Sequence, residues 1–293
     1  MAPFGALLTA MITPFASDGE VDFDRVHRLS KYLVANGSDG IVVAGTTGES
    51  PTLTHQEKLA LFVAVKEAVG GNATVIAGTG TNNTKASVEM TIEANEIGVD
   101  GVMAVVPYYN KPSQRGLIAH FRAIADASES PVLLYNVPGR TSRRIETDTL
   151  ADLSTHPKIV AVKDAVDDID FTMASREVLP EDFAIYSGSD DMTYPIMAVG
   201  GVGVVSVASH LIGKQIAKMV KAASEGDLEY ARRLHYQLLP VFDGCFVEPN
   251  PQPLNGALKE LWESIGDPRL PMVAPLPETT AALVAAVGKV QAL

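Results

Sequence analysis

The sequence predicts an α/β fold, a (β/α)8 (TIM) barrel followed by C-terminal helices, and three observations support it. Eight short apolar runs rich in β-branched residues alternate with helical patterns along the first three quarters of the chain. Eight such strand-helix units in about 225 residues fit the size of this barrel. After about residue 227 only helical periodicity remains. We therefore expect a barrel over residues 1–226 and a helical domain over residues 227–293.

The predicted strands are the apolar runs that lie between turn residues. In chain order they are Ala6–Ile12, Gly40–Gly45, Thr74–Gly80, Gly101–Pro107, Val132–Val137, Ile159–Ala165, Ala184–Asp190 and Gly203–Val207. A doubly wound open sheet is the main alternative, but it usually has fewer strands and a phosphate-binding glycine fingerprint after the first one. No such fingerprint follows the first run here, so the barrel is favoured.

Capping residues mark the starts of several predicted helices. Asp22 and Ser113 precede amphipathic stretches, and Thr54 with Glu57 has the spacing of a capping box. Three more helices are predicted between proline-rich segments of the C-terminal part: Leu228–Phe242, Pro253–Ser264 and Glu278–Val290. The uncharged run 192–213 is long enough for a membrane span, but a proline and three glycines divide it into helix, turn and strand.

The composition argues against several classes of function. A net charge of -12 disfavours a nucleic-acid partner, because phosphate binding needs clustered lysine and arginine. The single Cys245 rules out an internal disulfide and fits a reducing, cytoplasmic location. The apolar start of the chain has no basic segment and reaches Pro14, so we interpret it as the first strand and expect no membrane partner. The six histidines lack metal-ligand spacing, so we expect no metal centre.

Lys163 stands where the sixth apolar run would otherwise continue. A strand of a parallel barrel is buried on both faces, and burial disfavours the charged form of an amine. A neutral lysine amine is a nucleophile that forms Schiff bases with carbonyl compounds. From the strand alone, two interpretations stay open: covalent carbonyl chemistry, or a lysine that leaves the sheet into solvent.

Catalytic residues of a (β/α)8 barrel lie at the carboxyl ends of its strands. Five segments with unusual residues fall at such ends, namely 45–49, 108–111, 135–140, Lys163 and 188–190. Threonine hydroxyls with backbone N–H groups bind a small carboxylate, tyrosine hydroxyls pass protons, and an arginine holds a second carboxylate. The combination indicates a keto acid and an anionic partner as ligands.

These segments resemble the dihydrodipicolinate synthase and N-acetylneuraminate lyase superfamily of class I, pyruvate-dependent aldolases. The most specific matches are Gly-Thr-Thr-Gly-Glu-Ser at 45–50, Pro-Tyr-Tyr-Asn-Lys-Pro at 107–112, Tyr-Asn-Val-Pro-Gly-Arg-Thr at 135–141 and Val-Lys-Asp at 162–164. The resemblance covers essentially the whole chain. Residues 46–47 and the turn 138–141 resemble the synthase branch, in which an arginine binds the carboxylate of the aldehyde substrate.

The resemblance implies a role for each matching residue. Lys163 would form the Schiff base with pyruvate, whose carboxylate Thr47 would hold. Tyr135, Thr46 and Tyr109 would form a proton relay, with Tyr109 inserted from the neighbouring subunit of a tight dimer. A dimer and a tetramer built as a dimer of dimers both stay open. Further implied substrate-binding positions are Arg140, for the carboxylate of L-aspartate 4-semialdehyde, Gly188 and Val205. The product would be a cyclic hydroxy-tetrahydrodipicolinate of the lysine branch, formed without a cofactor or metal.

A regulatory site is also implied, because lysine-inhibited members bind lysine at the dimer interface. The matching positions are Ser50, Pro51, His55, Lys58, Asn82, Ala86 and Tyr108. Well-inhibited members have a histidine in place of Lys58 and a glutamate in place of Ala86, so we expect weak or absent inhibition by lysine. Two other functions stay open: a related sugar-acid aldolase that uses the same lysine, and a barrel that binds a metabolite without catalysis.

Overall fold

The computed structural model describes residues 2–291 of the chain, so the predicted domain limits at residues 1 and 293 lie outside the described residues. Eight parallel strands within this part form a closed barrel, each paired with its neighbours in chain order and β8 paired with β1. The strands are β1 Leu7–Ala10, β2 Gly40–Val43, β3 Thr74–Gly78, β4 Gly101–Val105, β5 Val132–Asn136, β6 Ile159–Asp164, β7 Ala184–Ser187 and β8 Gly203–Ser206. The predicted fold class is confirmed.

The strands are shorter than the apolar runs that predicted them, mainly at their carboxyl ends. The second run was expected to continue to Gly45, but β2 ends at Val43. Ala44 has a φ of 53°, and this left-handed conformation cannot continue a strand. The residues that follow the strands are therefore loops at the barrel mouth, although they are as apolar as the strands themselves.

Helices fill the connections between strands and form the C-terminal part. They are α1 Phe23–Ala35, α2 His55–Val69, α3 Thr84–Ile97, α4 Gln114–Ala127, α5 Pro138–Thr141, α6 Thr147–Ser154, α7 Ile169–Val178, α8 Thr193–Ala198, α9 Ser209–Ser224, α10 Leu228–Gly244, α11 Gln252–Leu261 and α12 Pro277–Gln291. The predicted caps are confirmed, since Asp22 and Ser113 accept backbone hydrogen bonds and Thr54 forms a reciprocal capping box with Glu57. None of the helices within residues 2–291 is long and apolar enough to cross a membrane.

The three C-terminal helices pack on each other and on the last helix of the barrel. Helix α10 contacts both α9 and α12, and α11 contacts α9 and α12. Their limits differ from the predicted ones by at most three residues at each end. The division of the chain into a barrel and a helical domain stays a prediction.

Two apolar clusters form the core. The larger one lies between the barrel and its helices, and the smaller one fills the barrel interior with side chains such as Leu8, Ile76, Leu133 and Val205. Tyr186 belongs to the interior cluster, and its hydroxyl donates to the carbonyl of Gly5, 2.9 Å away, near the amino-terminal end of β1. The interior is thus packed, and the loops after the strands are left to form cavities.

Candidate active site

Lys163 faces the inside of the barrel. Successive residues of a strand alternate between its faces, so Lys163 shares a face with Ala161 and Ala165, which belong to the interior cluster. The register of β5 and β6 pairs it with Tyr135, and its Nζ lies 4.1 Å from the centroid of the Tyr135 ring. Only 5% of the lysine is exposed. The interpretation in which it leaves the sheet into solvent is therefore wrong.

Asp164 points to the other face of β6 and helps to fix the end of this strand. Asp164 is buried, although it begins an acidic run that continues to Asp170. Its carboxylate accepts hydrogen bonds from Val166 N, at 3.0 Å, and from the hydroxyl of Thr172 in α7, at 2.7 Å. Burial raises the pKa of Asp164. Asp168, further along the same run, caps α7.

The loop after β2 brings two threonines to the mouth of the barrel. Thr46 is half-buried and lines a cavity, whereas Thr47 is buried. Glu49 anchors this loop, because its Oε2 accepts a hydrogen bond from the backbone N–H of Arg269, 3.0 Å away. Burial raises the pKa of Glu49 to about 7. These contacts give Glu49 a structural role in the loop.

Two cavities meet at Tyr135 and Arg140. The first has a volume of about 250 Å³, and its polar lining includes Thr46, Tyr135, Tyr108 and Arg140. The second, of about 330 Å³, shares Tyr135 and Arg140 and adds three carboxylates, from Asp167, Asp191 and Asp243. Arg140 is exposed and lines both cavities, so its guanidinium can meet an entering anion.

Of the two other predicted substrate-binding positions, Gly188 and Val205, only Gly188 lines a cavity. Gly188 lines the second cavity, and a Cβ there would lie 2.6 Å from the Cβ of Ala165. Val205 is 1% exposed in the barrel interior and lines neither cavity. Lys163 and Thr47 are likewise buried and are not among the residues that line the two cavities.

Tyr109 is the predicted relay residue that the chain does not bring to its own cavities. It is 90% exposed and has a φ of 70°, a left-handed conformation that is rare for a bulky residue. Neither cavity includes it among its lining residues. Within one chain, Tyr109 is therefore separate from Lys163, Tyr135 and Thr46.

The predicted regulatory positions lie next to the first cavity. Ser50 and Tyr108 line it together with Thr46. His55 Nε2 lies 2.6 Å from the carboxylate of Glu93, and the carbonyl of Asn82 accepts a hydrogen bond from the side chain of Asn110 at 2.8 Å. One continuous surface thus leads from the predicted catalytic residues to part of the predicted regulatory site.

Asn250 contacts a predicted site residue, Thr47, and the sequence interpretation did not single it out. It lies in the segment 248–253, which was interpreted only as a proline-rich spacer between helices. Its side chain is buried, and Nδ2 donates to the hydroxyl of Thr47 at 2.9 Å. The signal that could have found it is a single polar residue held between two prolines, although that pattern does not reveal its partner.

One of the histidines, His210, serves packing and backbone contacts. His210 is fully buried, accepts a hydrogen bond from Ile12 N at 3.1 Å, and has its pKa lowered to about 4 by burial. Within residues 2–291, no group of three or more histidine, cysteine, aspartate or glutamate side chains is arranged to hold a metal ion. The expectation of catalysis without a metal or cofactor stays a prediction.

The chain is similar to known proteins over nearly its entire length. Residues 3–289 match the model of the Dihydrodipicolinate synthetase family. The 4-hydroxy-tetrahydrodipicolinate synthase of Moorella thermoacetica is 51% identical over 283 residues, which cover 97% of each chain. The crystal structure of a dihydrodipicolinate synthase from Bacillus anthracis is 47% identical, covers 98% of this chain and 99% of its own, and has a TM-score of 0.95.

A second structure, that of DHDPS from Cyanidioschyzon merolae with lysine bound, is 43% identical, covers 100% of both chains and has a TM-score of 0.97. The chain belongs to the Dihydrodipicolinate synthetase family. The family resemblance carried by residues 45–50, 107–112, 135–141 and 162–164 is confirmed.

Proposed function

We propose that this family member is a lyase, a 4-hydroxy-tetrahydrodipicolinate synthase that condenses pyruvate with L-aspartate 4-semialdehyde in the biosynthesis of lysine and diaminopimelate. The observation that carries the proposal is the buried amine of Lys163, which lies 4.1 Å from the centroid of the Tyr135 ring at the catalytic end of the barrel. Relatives about 50% identical over nearly the full chain bear this name. The main function predicted from the sequence is thus favoured over a sugar-acid aldolase or a non-catalytic barrel.

The reaction begins when Nζ of Lys163 attacks the carbonyl carbon of pyruvate. Water leaves, an imine forms, and loss of a methyl proton converts the imine into an enamine. Thr47, with the backbone of its loop, holds the pyruvate carboxylate during these steps. Burial supports the chemistry, since it shields the amine and the imine from bulk water.

The enamine carbon then attacks the aldehyde carbon of L-aspartate 4-semialdehyde. Arg140 holds the carboxylate of this second substrate, which its position at the edge of both cavities supports. The hydroxyls of Tyr135 and Thr46 pass the proton that the new alcohol oxygen needs. Finally the amino group of the acceptor attacks the imine carbon, displaces Lys163 and closes the ring of the product.

Tyr109 completes the relay from a second copy of the chain. Its 90% exposure and its absence from the linings of both cavities support this assignment, because a tyrosine that serves its own chain would face its own cavity. The protein would then act as a tight dimer, paired into a tetramer. Mixing inactive Tyr109→Phe and Lys163→Ala chains should restore part of the activity, because some sites then combine an intact residue from each chain.

Regulation by lysine is weak or absent in this proposal. The related protein from Cyanidioschyzon merolae has been crystallised with lysine bound. Here Lys58 brings a positive charge to the matching surface, and Ala86 removes a carboxylate that could pair with the ammonium group of a lysine ligand. The four polar positions Ser50, His55, Asn82 and Tyr108 remain to bind the amino-acid end of a ligand.

The decisive experiment is to trap the imine. Borohydride added with pyruvate should reduce the imine and attach one pyruvate-derived mass at Lys163, located by peptide mass spectrometry. Lys163→Ala and Lys163→Arg should both lose the label and most activity. Alanine has no amine, and the guanidinium of arginine stays protonated. Lys158→Ala, which changes a lysine just before the same strand, is the matched control and should keep the label. Labelling at another residue, or none, would refute the proposed mechanism, and a panel of aldehydes would identify the acceptor.

A further inference from the structure

Asn250 links the C-terminal segment to the loop after β2. Its Nδ2 donates to Oγ1 of Thr47 over 2.9 Å, and the two residues are 203 positions apart in the sequence. Both side chains are almost completely buried, with 5% of Asn250 and 2% of Thr47 exposed. The Oδ1 atom of Asn250 is also buried and has no hydrogen-bond partner among residues 2–291. The Thr47 hydroxyl is therefore the polar contact that this carboxamide makes in the described part of the chain.

The direction of this hydrogen bond determines what Thr47 can do. A threonine hydroxyl has one proton to donate and two lone pairs that accept. Because the amide N–H of Asn250 occupies a lone pair, the hydroxyl proton cannot point at Asn250 and must point to another acceptor. A carboxylate bound at the loop of Thr46 and Thr47 is such an acceptor, and a charged acceptor strengthens the bond.

We propose that Asn250 is a positioning residue for the keto acid: its amide fixes the Thr47 hydroxyl as a donor toward the carboxylate of pyruvate. The inference rests on the proposed function and adds to it a residue from outside the barrel. Proline lies on either side of Asn250, at positions 249 and 251, and limits the backbone conformations available to this segment. The C-terminal part of the chain thus contributes to pyruvate binding through Thr47.

The sharpest test is the isosteric change Asn250→Asp. A carboxylate only accepts hydrogen bonds, so the Thr47 hydroxyl would turn toward it and away from pyruvate. The new negative charge would also repel the keto acid. The pyruvate KM should rise about tenfold or more, as expected for the loss of a charge-assisted hydrogen bond, whereas the KM for the aldehyde should change less than about twofold. Asn250→Ala should raise the pyruvate KM by a smaller factor, since the freed hydroxyl can still rotate toward the ligand.

A double-mutant cycle separates positioning from general structural support. If Asn250 acts through the Thr47 hydroxyl, Asn250→Ala should cause no further rise of the pyruvate KM in a Thr47→Val background. Asn255→Ala is the matched control, because Asn255 is also buried in the C-terminal part, donates to the carbonyl of Gly266 at 2.9 Å and has an Oδ1 without a partner in the described part of the chain. It should lower the midpoint of thermal unfolding without changing the pyruvate KM.

Two results would overturn the inference. One is an unchanged pyruvate KM in Asn250→Asp, which would mean that Thr47 donates to this side chain instead of accepting from it. The other is that Asn250→Ala raises the pyruvate KM by the same factor in the unmodified protein and in the Thr47→Val variant. Imine trapping at Lys163 in the unmodified protein keeps the two proposals apart: if trapping succeeds while the Asn250 variants bind pyruvate normally, only the role of Asn250 is wrong.

Discussion

Replacing Glu49 by glutamine should stabilise the protein, and increasingly so as the pH rises. The Glu49 side chain is 3% exposed, and its Oε1 has no hydrogen-bond partner among residues 2–291. Burial raises its pKa from the ordinary value of 4.5 to about 7. In the unfolded chain the carboxyl ionises near pH 4.5, so between that pH and about 7 the folded state binds more protons. The stabilising contribution of protonated Glu49 is complete below pH 4.5 and is lost as the pH rises through about 7.

The size of the effect follows from the change in proton affinity. A tenfold change in affinity corresponds to about 1.4 kcal/mol, so a pKa that rises from 4.5 to about 7 costs the folded state about 3 kcal/mol once the group is ionised in both states. Glutamine keeps the shape of the side chain and its acceptor for Arg269 N but never ionises. The free energy of unfolding of Glu49→Gln relative to the unmodified protein should therefore grow by roughly 2–3 kcal/mol between pH 5 and pH 8.

Urea-induced unfolding, followed by the fluorescence of the single Trp262, measures this difference at each pH. Glu57→Gln is the matched control, because Glu57 also contacts Arg269, whose side-chain hydrogen bonds lower the pKa of Glu57 to about 2. Glu57 stabilises the fold above pH 4.5 and loses this contribution as the pH falls to about 2. Its replacement should destabilise the protein equally at pH 5 and pH 8. The reasoning would be refuted if the difference in free energy of unfolding between Glu49→Gln and the unmodified protein were the same at pH 5 and pH 8.

Three further predictions concern the two cavities and the predicted regulatory site. Arg140→Ala should raise the KM for L-aspartate 4-semialdehyde about tenfold and leave the pyruvate KM within about twofold; steady-state kinetics with each substrate varied would contradict the assignment if pyruvate were affected more. Gly188→Ala should lower the free energy of unfolding by about 1–3 kcal/mol, because the new Cβ would lie 2.6 Å from that of Ala165. Thermal unfolding measures this change, and Gly139→Ala, where the new Cβ meets nothing within 4 Å among residues 2–291, is the control. L-Lysine titrated into the activity assay should inhibit weakly or not at all, and strong inhibition below about 1 mM, an affinity near 4 kcal/mol, would show that both substitutions in the regulatory site are tolerated.

The sequence was sufficient to predict the barrel, because its signals are local. Each strand is a short apolar run, and residues such as Asp22 and Ser113 accept hydrogen bonds from backbone groups at most three positions away. Lys163 could be singled out for the same reason, since one ionisable residue in a buried strand is visible without knowledge of its neighbours. Fold, family and main function were therefore accessible from the order of residues along the chain.

The tertiary structure decided which side chains meet. It buried Asp164 against Thr172, placed Tyr109 outside the cavities of its own chain, and joined Asn250 to Thr47 across 203 positions. Such contacts depend on how strands, loops and C-terminal helices pack, and no local period of the sequence encodes them. The sequence by itself thus determined the elements and the reactive lysine. The packing of distant segments determined the hydrogen bonds and burial around that lysine, because these depend on distances in space and not on separation along the chain.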